Sequence, residues 1–145
     1  MKIIFKILII ISILIEIISG NFIDCGGNNH FQIGNVTVLT KEIENKEYLI
    51  LFTINGILKE TIYDGNIFTI ITNGPVTLIK EKKSFCKSDH VFSCPSGSGE
   101  INYTFNLTMP ITTTTTLKHQ TLYSTVWFTD QVPNQIACFN INFSL

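Results

Sequence analysis

Between Glu100 and Pro110 the chain reads Glu-Ile-Asn-Tyr-Thr-Phe-Asn-Leu-Thr-Met-Pro, with apolar and polar residues in strict alternation. Side chains of a strand point to opposite faces in turn. Ile101, Tyr103, Phe105, Leu107 and Met109 therefore share one face, and Asn102, Thr104, Asn106 and Thr108 share the other. The polar face carries two acceptor sequences for N-glycans, Asn102-Tyr-Thr104 and Asn106-Leu-Thr108, which need solvent and a secretory route. The apolar face has to be covered. Either other side chains or an apolar ligand fills the space behind it.

The same logic recurs along the chain. From Gln135 to Leu145, Ala137, Phe139, Ile141, Phe143 and Leu145 alternate with Cys138, Asn140 and Asn142, and the acceptor Asn142-Phe-Ser144 again falls on the polar face. Phe31 to Val38 alternates and contains a further acceptor, Asn35-Val-Thr37. Leu122, Ser124, Val126 and Phe128 alternate with Tyr123, Thr125, Trp127 and Thr129, so aromatic residues sit on both faces there. Tyr48 to Ile54 is apolar on both faces, as a central strand is. Lys41 to Glu47 and Pro110 to Thr116 read as connectors. Asn55-Gly56 predicts a tight hairpin turn leading into a strand from Ile57 to Tyr63. Asp64-Gly65 predicts a second hairpin before Asn66 to Thr72, and Asn73-Gly74-Pro75 a break before Val76 to Lys80. Strands at intervals of roughly ten residues, with no helical periodicity after the first twenty or so, predict an all-β sandwich or barrel.

Met1-Lys2 and Lys6, the apolar run Ile7 to Ile15 and the small pair Ser19-Gly20 predict a secretory signal peptide over residues 1–20. Glu16 interrupts the run well short of the ~20 apolar residues a spanning helix requires. Residues 21–145 are then one domain, secreted or delivered to an endosomal or lysosomal lumen. All 10 basic residues are Lys, and the formal net charge is −1. A near-neutral chain with no Arg lacks the basic footprint of a nucleic-acid binder and the bidentate clamp for phosphate. Lys80, Lys82, Lys83 and Lys87 gather around Cys86. They read as a solvated hairpin arm or as a docking patch for an anionic membrane surface.

Cys25, Cys86, Cys94 and Cys138 all follow the signal peptide, an even count that reads as two disulfides in a secreted chain. Four cysteines allow three pairings, and spacing alone does not choose among them. Locality favours Cys86 with Cys94 across a short hairpin, hence Cys25 with Cys138 tying the ends. No metal set is expected: there is no Cys-x-x-Cys, and His30, His90 and His119 sit at no ligand-like spacing. Cys94-Pro-Ser-Gly-Ser-Gly99 lacks the Gly-x-Ser-x-Gly spacing of a hydrolase nucleophile turn. No paired acid and base appears either, so the chain is read as a non-enzyme without cofactors.

Taken in order, the signal peptide, Asp24-Cys25-Gly26, the Cys86 to Cys94 hairpin with Pro95, Tyr103-x-Phe105 in a strand ending at Pro110, Val126-x-Phe128 and Ile136-Ala-Cys138 resemble one known family. It is the MD-2-related lipid-recognition family, which includes the Niemann-Pick type C2 sterol carrier. Closer still is its lower-eukaryote branch of phosphatidylglycerol/phosphatidylinositol transfer proteins. The resemblance covers Phe22 to Leu145. It implies an immunoglobulin-like sandwich of two antiparallel sheets with a lipid cavity between them, and it supports the disulfide pairing reached from locality. By their inward parity or apolar surroundings, Phe52, Ile54, Phe68, Tyr103, Phe105, Leu107, Val126, Phe128, Phe139, Ile141 and Phe143 fit either a dry core or a cavity wall. The resemblance selects the cavity. The implied activity is transfer of phosphatidylglycerol, phosphatidylinositol or a sterol between membranes by a monomer in transient contact with them. A lipid-sensing co-receptor or adhesion module, acting through a protein partner, is the alternative. The sterol carrier's further disulfide after the first strand has no counterpart here.

Overall fold

The computed structural model describes residues 16–18, 21–43, 47–86, 94–110 and 119–145. Their strands are β1 (Glu16–Ile18), β2 (Ile23–Gly26), β3 (Phe31–Ile43), β4 (Glu47–Leu58), β5 (Asn66–Asn73), β6 (Val76–Ser84), β7 (Gly99–Pro110), β8 (Thr121–Thr129) and β9 (Gln135–Ser144). They form two antiparallel sheets, a four-stranded one in the order β1-β3-β4-β7 and a five-stranded one in the order β2-β9-β8-β5-β6. No helix among the described residues is long and apolar enough to cross a membrane. The body of the expected signal peptide, the threonine run after Pro110, and Lys87 and His90 lie outside the described residues. Glu16, Ile17 and Ile18 pair with Thr40, Leu39 and Val38 at the edge of β3.

The apolar-on-both-faces stretch after Tyr48 becomes β4, the inner strand that pairs with β3 on one side and β7 on the other. Its residues Ile50, Phe52, Ile54 and Leu58 are buried, and the intervening residues are covered only in part. The expected hairpin turn at Asn55-Gly56 is not there. β4 runs straight through it, Asn55 lying opposite Asn35 and Asn102 and Gly56 opposite Ile33 and Ile101. The glycine has a different cause. Between Ile33 and Asn35 the register of β3 shifts at a bulge, which brings its backbone close. A Cβ on Gly56 would sit 2.5 Å from Gln32 O and 2.6 Å from a ring carbon of Phe31. Glycine is required there because neighbouring backbone and ring occupy the side-chain space.

Nor does Asp64-Gly65 close a hairpin. After Leu58 the chain leaves the first sheet, and residues 59–65 carry it to the second, so the expected strand from Ile57 to Tyr63 is replaced by a crossover. This segment is tied by Lys59 N donating to His30 O at 2.7 Å and by an isolated bridge between Ile62 and Ser96. Gly65 packs on the other sheet, since its Cβ would lie 2.2 Å from Thr129 O. The turn at Asn73-Gly74-Pro75 does close a hairpin, β5 with β6, and Gly74 takes the positive φ of 54° that suits glycine.

Both disulfides pair as locality indicated. Cys25–Cys138 joins β2 to its neighbour β9, and Cys86–Cys94 closes the base of the β6–β7 connection. In the chain-entropy account the long loop contributes about 4 to 5 kcal/mol and the short one about 2 to 3. Replacing Gly56→Ala should lower the unfolding free energy by about 1–3 kcal/mol through overpacking against the β3 bulge. A urea titration showing an unchanged midpoint would contradict the close approach at that position.

Candidate functional site

The inward faces of the two sheets enclose one continuous apolar layer. From the first sheet come Val36, Val38, Ile50, Phe52, Ile54, Tyr103, Phe105, Leu107 and Met109, all buried. The second sheet supplies Ile67, Ile71, Leu122, Val126, Phe128, Phe139, Ile141 and Phe143, all buried likewise. Their rings interlock across the gap. Phe52 stacks on its cross-strand neighbour Phe105 at 5.0 Å and meets Phe143 of the other sheet edge-on at 6.1 Å. Tyr103 lies 6.3 Å from Phe128, nearly perpendicular to it. Edge-to-face and offset arrangements of this kind add about 0.5–1.5 kcal/mol each beyond the area they bury.

The layer is graded along the strands. At one end Phe31, Phe85, Tyr103 and Phe128 form an aromatic plug, with centroids 4.8 Å apart for Phe85–Tyr103 and 5.2 Å for Phe31–Phe128. Towards the other end aliphatic residues become more frequent, Ile50 beside Leu107, Ile71 beside Ser124 and Ser124 beside Ile141, while Phe143 keeps a ring there. Ser124 is 2 % exposed and its hydroxyl has no hydrogen-bond partner among the described residues. An unpartnered buried hydroxyl costs about 1–3 kcal/mol of lost hydration.

Of the eleven residues expected to line a lipid cavity, ten are buried in this layer: Phe52, Ile54, Tyr103, Phe105, Leu107, Val126, Phe128, Phe139, Ile141 and Phe143. Phe68 is not. It sits between buried Ile67 and buried Thr69 on the outward parity of β5, stacked on Trp127 at 5.0 Å with the Lys82 ammonium 5.5 Å from its ring centroid. The alternation of β5 therefore places Ile67 and Ile71 inward and Phe68 outward. An outer aromatic can be half-covered by its neighbours along the sheet without entering the core. Phe31 and Phe85 are interior residues that sequence reasoning left out. Phe31 opens an alternating strand and was legible; Phe85 follows β6 outside any periodic run, placed by its N–H donating to Gly65 O at 2.9 Å.

The sheets are joined differently along their two sides. On the β3–β9 side the hydroxyl of Thr40 donates to the carbonyl of Ser144 at 3.5 Å. On the β6–β7 side Lys83 reaches across the seam to the backbone carbonyl and the side-chain oxygen of Asn106, with Glu81 3.5 Å from its ammonium. Lys80 and Lys82 lie on the opposite, outward parity of β6 and are exposed. The lysine cluster is thus split between a seam contact and an outer surface. The glycan acceptors Asn35, Asn102, Asn106 and Asn142 are all exposed. Asn35 and Asn102 also wall a groove of about 500 Å³ beside the β3 bulge, together with Gly34, Asn55, Gly56 and Ile101.

Comparison with known proteins gives concordant results. Residues 19–145 match the family described as the ML domain. Two Dictyostelium discoideum proteins, each provisionally named a phosphatidylglycerol/phosphatidylinositol transfer protein, are similar to the chain. One is 30% identical over 123 residues, spanning 84% of this chain and 83% of its own length; the other is 30% identical over 145 residues, spanning 97% and 99%. Among solved structures, a Niemann-Pick type C2 protein from the Japanese carpenter ant superposes with a TM-score of 0.56 at 15% identity, covering 84% of this chain and 96% of that one. At that identity the likeness concerns the fold, two antiparallel sheets face to face.

The inside and outside assignments separate two otherwise similar substitutions. Phe105→Ala should cost about 3–5 kcal/mol, the range for emptying a buried phenylalanine site. Phe68→Ala should cost about 1 kcal/mol, the worth of a half-exposed cross-strand pair. Denaturant midpoints in the reverse order would invert the orientation of β5 or β7.

Proposed function

This chain belongs to the ML-domain family, and from that premise we propose that it is a non-enzymatic lipid carrier. It takes the apolar part of a membrane lipid between its sheets and moves it between bilayers. The observation that carries the reading is the continuous apolar layer held between two sheets that are separately hydrogen-bonded and, among the described residues, share few polar ties. Parting such sheets leaves each backbone ladder intact, so a chain of CH2 groups can replace side-chain contacts at about 0.8 kcal/mol per group buried. A carrier needs only this near-balance with the bilayer. No bond is made or broken.

Phosphatidylglycerol and phosphatidylinositol are the proposed cargoes, after the names of the Dictyostelium relatives, with sterol as the competing class. The β6–β7 seam is the proposed mouth, since Lys83 there can exchange the Asn106 oxygens for a lipid phosphate. Exposed Lys80 and Lys82 beside it favour contact with an anionic surface. Residues 1–20 act as a signal peptide in this reading, and the mature protein works as a monomer outside the cell or in an endosomal or lysosomal lumen. Its removal takes β1 from the sheet and leaves β3 as an edge.

Protein secreted from a eukaryotic host should carry a stoichiometric lipid in native mass spectrometry, and it should move labelled phosphatidylglycerol between vesicles without any other protein. Purified protein that binds no phospholipid or sterol would overturn the proposal. Lipid bound but never transferred would support a lipid-sensing co-receptor instead. Ser124→Ala, which removes an unpartnered hydroxyl, should stabilise the lipid-free protein by about 1 kcal/mol. It should also weaken lipid binding by up to about tenfold where that hydroxyl meets a lipid ester or alcohol oxygen. Unaltered affinity would take Ser124 out of the ligand contact.

A further inference from the structure

At the aromatic end of the sandwich, outside the apolar layer, three loops bring together His30, Glu60 and Asp130, whose donor atoms all lie within 4.8 Å of one another. His30 precedes β3, Glu60 follows β4, and Asp130 follows β8, so no sequence spacing announces the set. The backbone of His30 and the carboxylate of Asp130 are held in place. His30 N donates to Asn28 Oδ1 at 3.0 Å and its carbonyl accepts from Lys59 N, which fixes two of the loops against each other. Asp130 Oδ1 accepts from the backbone of Val132 and Asn134, both at 3.0 Å, so that carboxylate is oriented by its own turn.

Ordinary surface ion pairing does not account for the arrangement. His30 Nδ1 sits 2.9 Å from Glu60 Oε2, but the other oxygen, Glu60 Oε1, is enclosed and has no hydrogen-bond partner among the described residues. Asp130 is only 6 % exposed and brings a second carboxylate to the same spot. An enclosed carboxylate oxygen without a donor, beside a buried carboxylate, is costly unless a cation lies between them. One imidazole nitrogen and two carboxylates are a donor set that suits zinc and its 3d neighbours, whereas calcium and magnesium favour oxygen alone.

We propose that His30, Glu60 and Asp130 form a binding site for a divalent cation of the zinc class, which clamps the three loops at this end of the sandwich. A tetrahedral ion about 2.0–2.2 Å from each donor leaves a fourth position for water. His30 and Glu60 are partly exposed and can close the remaining distance, while Asp130 is the fixed point. The site lies apart from the apolar layer, and its test does not depend on what that layer holds.

Untagged full-length protein, secreted and then stripped with a chelator, is titrated calorimetrically with zinc chloride, with magnesium chloride as the control. The expected result is one zinc per chain, no response to magnesium, and a thermal midpoint raised by several degrees at saturating zinc, as binding to the folded state alone requires. His30→Gln and Glu60→Gln should each weaken zinc at least about tenfold, since each removes one of three ligands. Without metal, Glu60→Gln should be as stable as the parent or more so, because it removes a carboxylate from beside Asp130. Zinc binding that survives both substitutions would place the ion elsewhere and overturn the proposal, as would absence of binding. A metal-free Glu60→Gln protein that is less stable yet binds zinc normally would reduce the cluster to an ion pair.

Discussion

Everything in this molecule hangs on the apolar contact between two sheets that share no hydrogen-bonded strand. Each sheet satisfies its own backbone, and neither can hide its apolar face alone, so the fold exists because side chains such as Phe52 and Tyr103 of one sheet meet Phe143 and Phe128 of the other. The disulfides reinforce this arrangement at its margins. Cys25–Cys138 lies within the second sheet, and Cys86–Cys94 holds the base of the connection that passes from β6 to β7.

The same contact makes a lipid carrier reasonable. A close-packed interior cemented by buried hydrogen bonds would lose many of them on opening. Among the described residues the ties between the sheets are few and peripheral, Thr40 to Ser144 on one side and Lys83 to Asn106 on the other. In the proposed carrier, what separates on opening is hydrocarbon from hydrocarbon, and the lipid chain that replaces it is hydrocarbon as well. Ser124, with a hydroxyl buried among aliphatic rows and bonded to nothing, is the one inward position where this compensation is incomplete among the described residues, and a ligand oxygen would complete it.

Strand parity was the most legible property of the chain. The alternation in Glu100 to Pro110 and from Phe139 to Phe143 predicted which residues are buried, and the acceptors Asn102, Asn106 and Asn142 are exposed because parity and polarity agree there; Cys138, expected outward, is buried, and Asn35 is exposed because the β3 bulge shifts the parity after Ile33. Turn chemistry was less dependable. Asn55-Gly56 has the composition of a hairpin, yet its glycine serves the bulge of a neighbouring strand that is distant in sequence. Phe68 was misplaced for a related reason. Its own run, Asn66 to Thr72, is apolar at adjacent positions, so local pattern could not tell which parity faces the core.

By itself, then, the sequence determined an all-β chain, the faces of its cleanly alternating strands, the pairing of its cysteines by locality, and a family likeness carried by the order of its motifs. Only the tertiary structure decided that β4 passes through Asn55-Gly56, that residues 59–65 cross between sheets, that Lys83 spans the seam while Lys80 and Lys82 face away, and that His30, Glu60 and Asp130 converge. The division has a physical basis. Side-chain alternation is a local consequence of backbone geometry and is written residue by residue, whereas close approaches, seams and ligand sets arise between segments far apart in the chain, whose meeting is set by how two sheets pack.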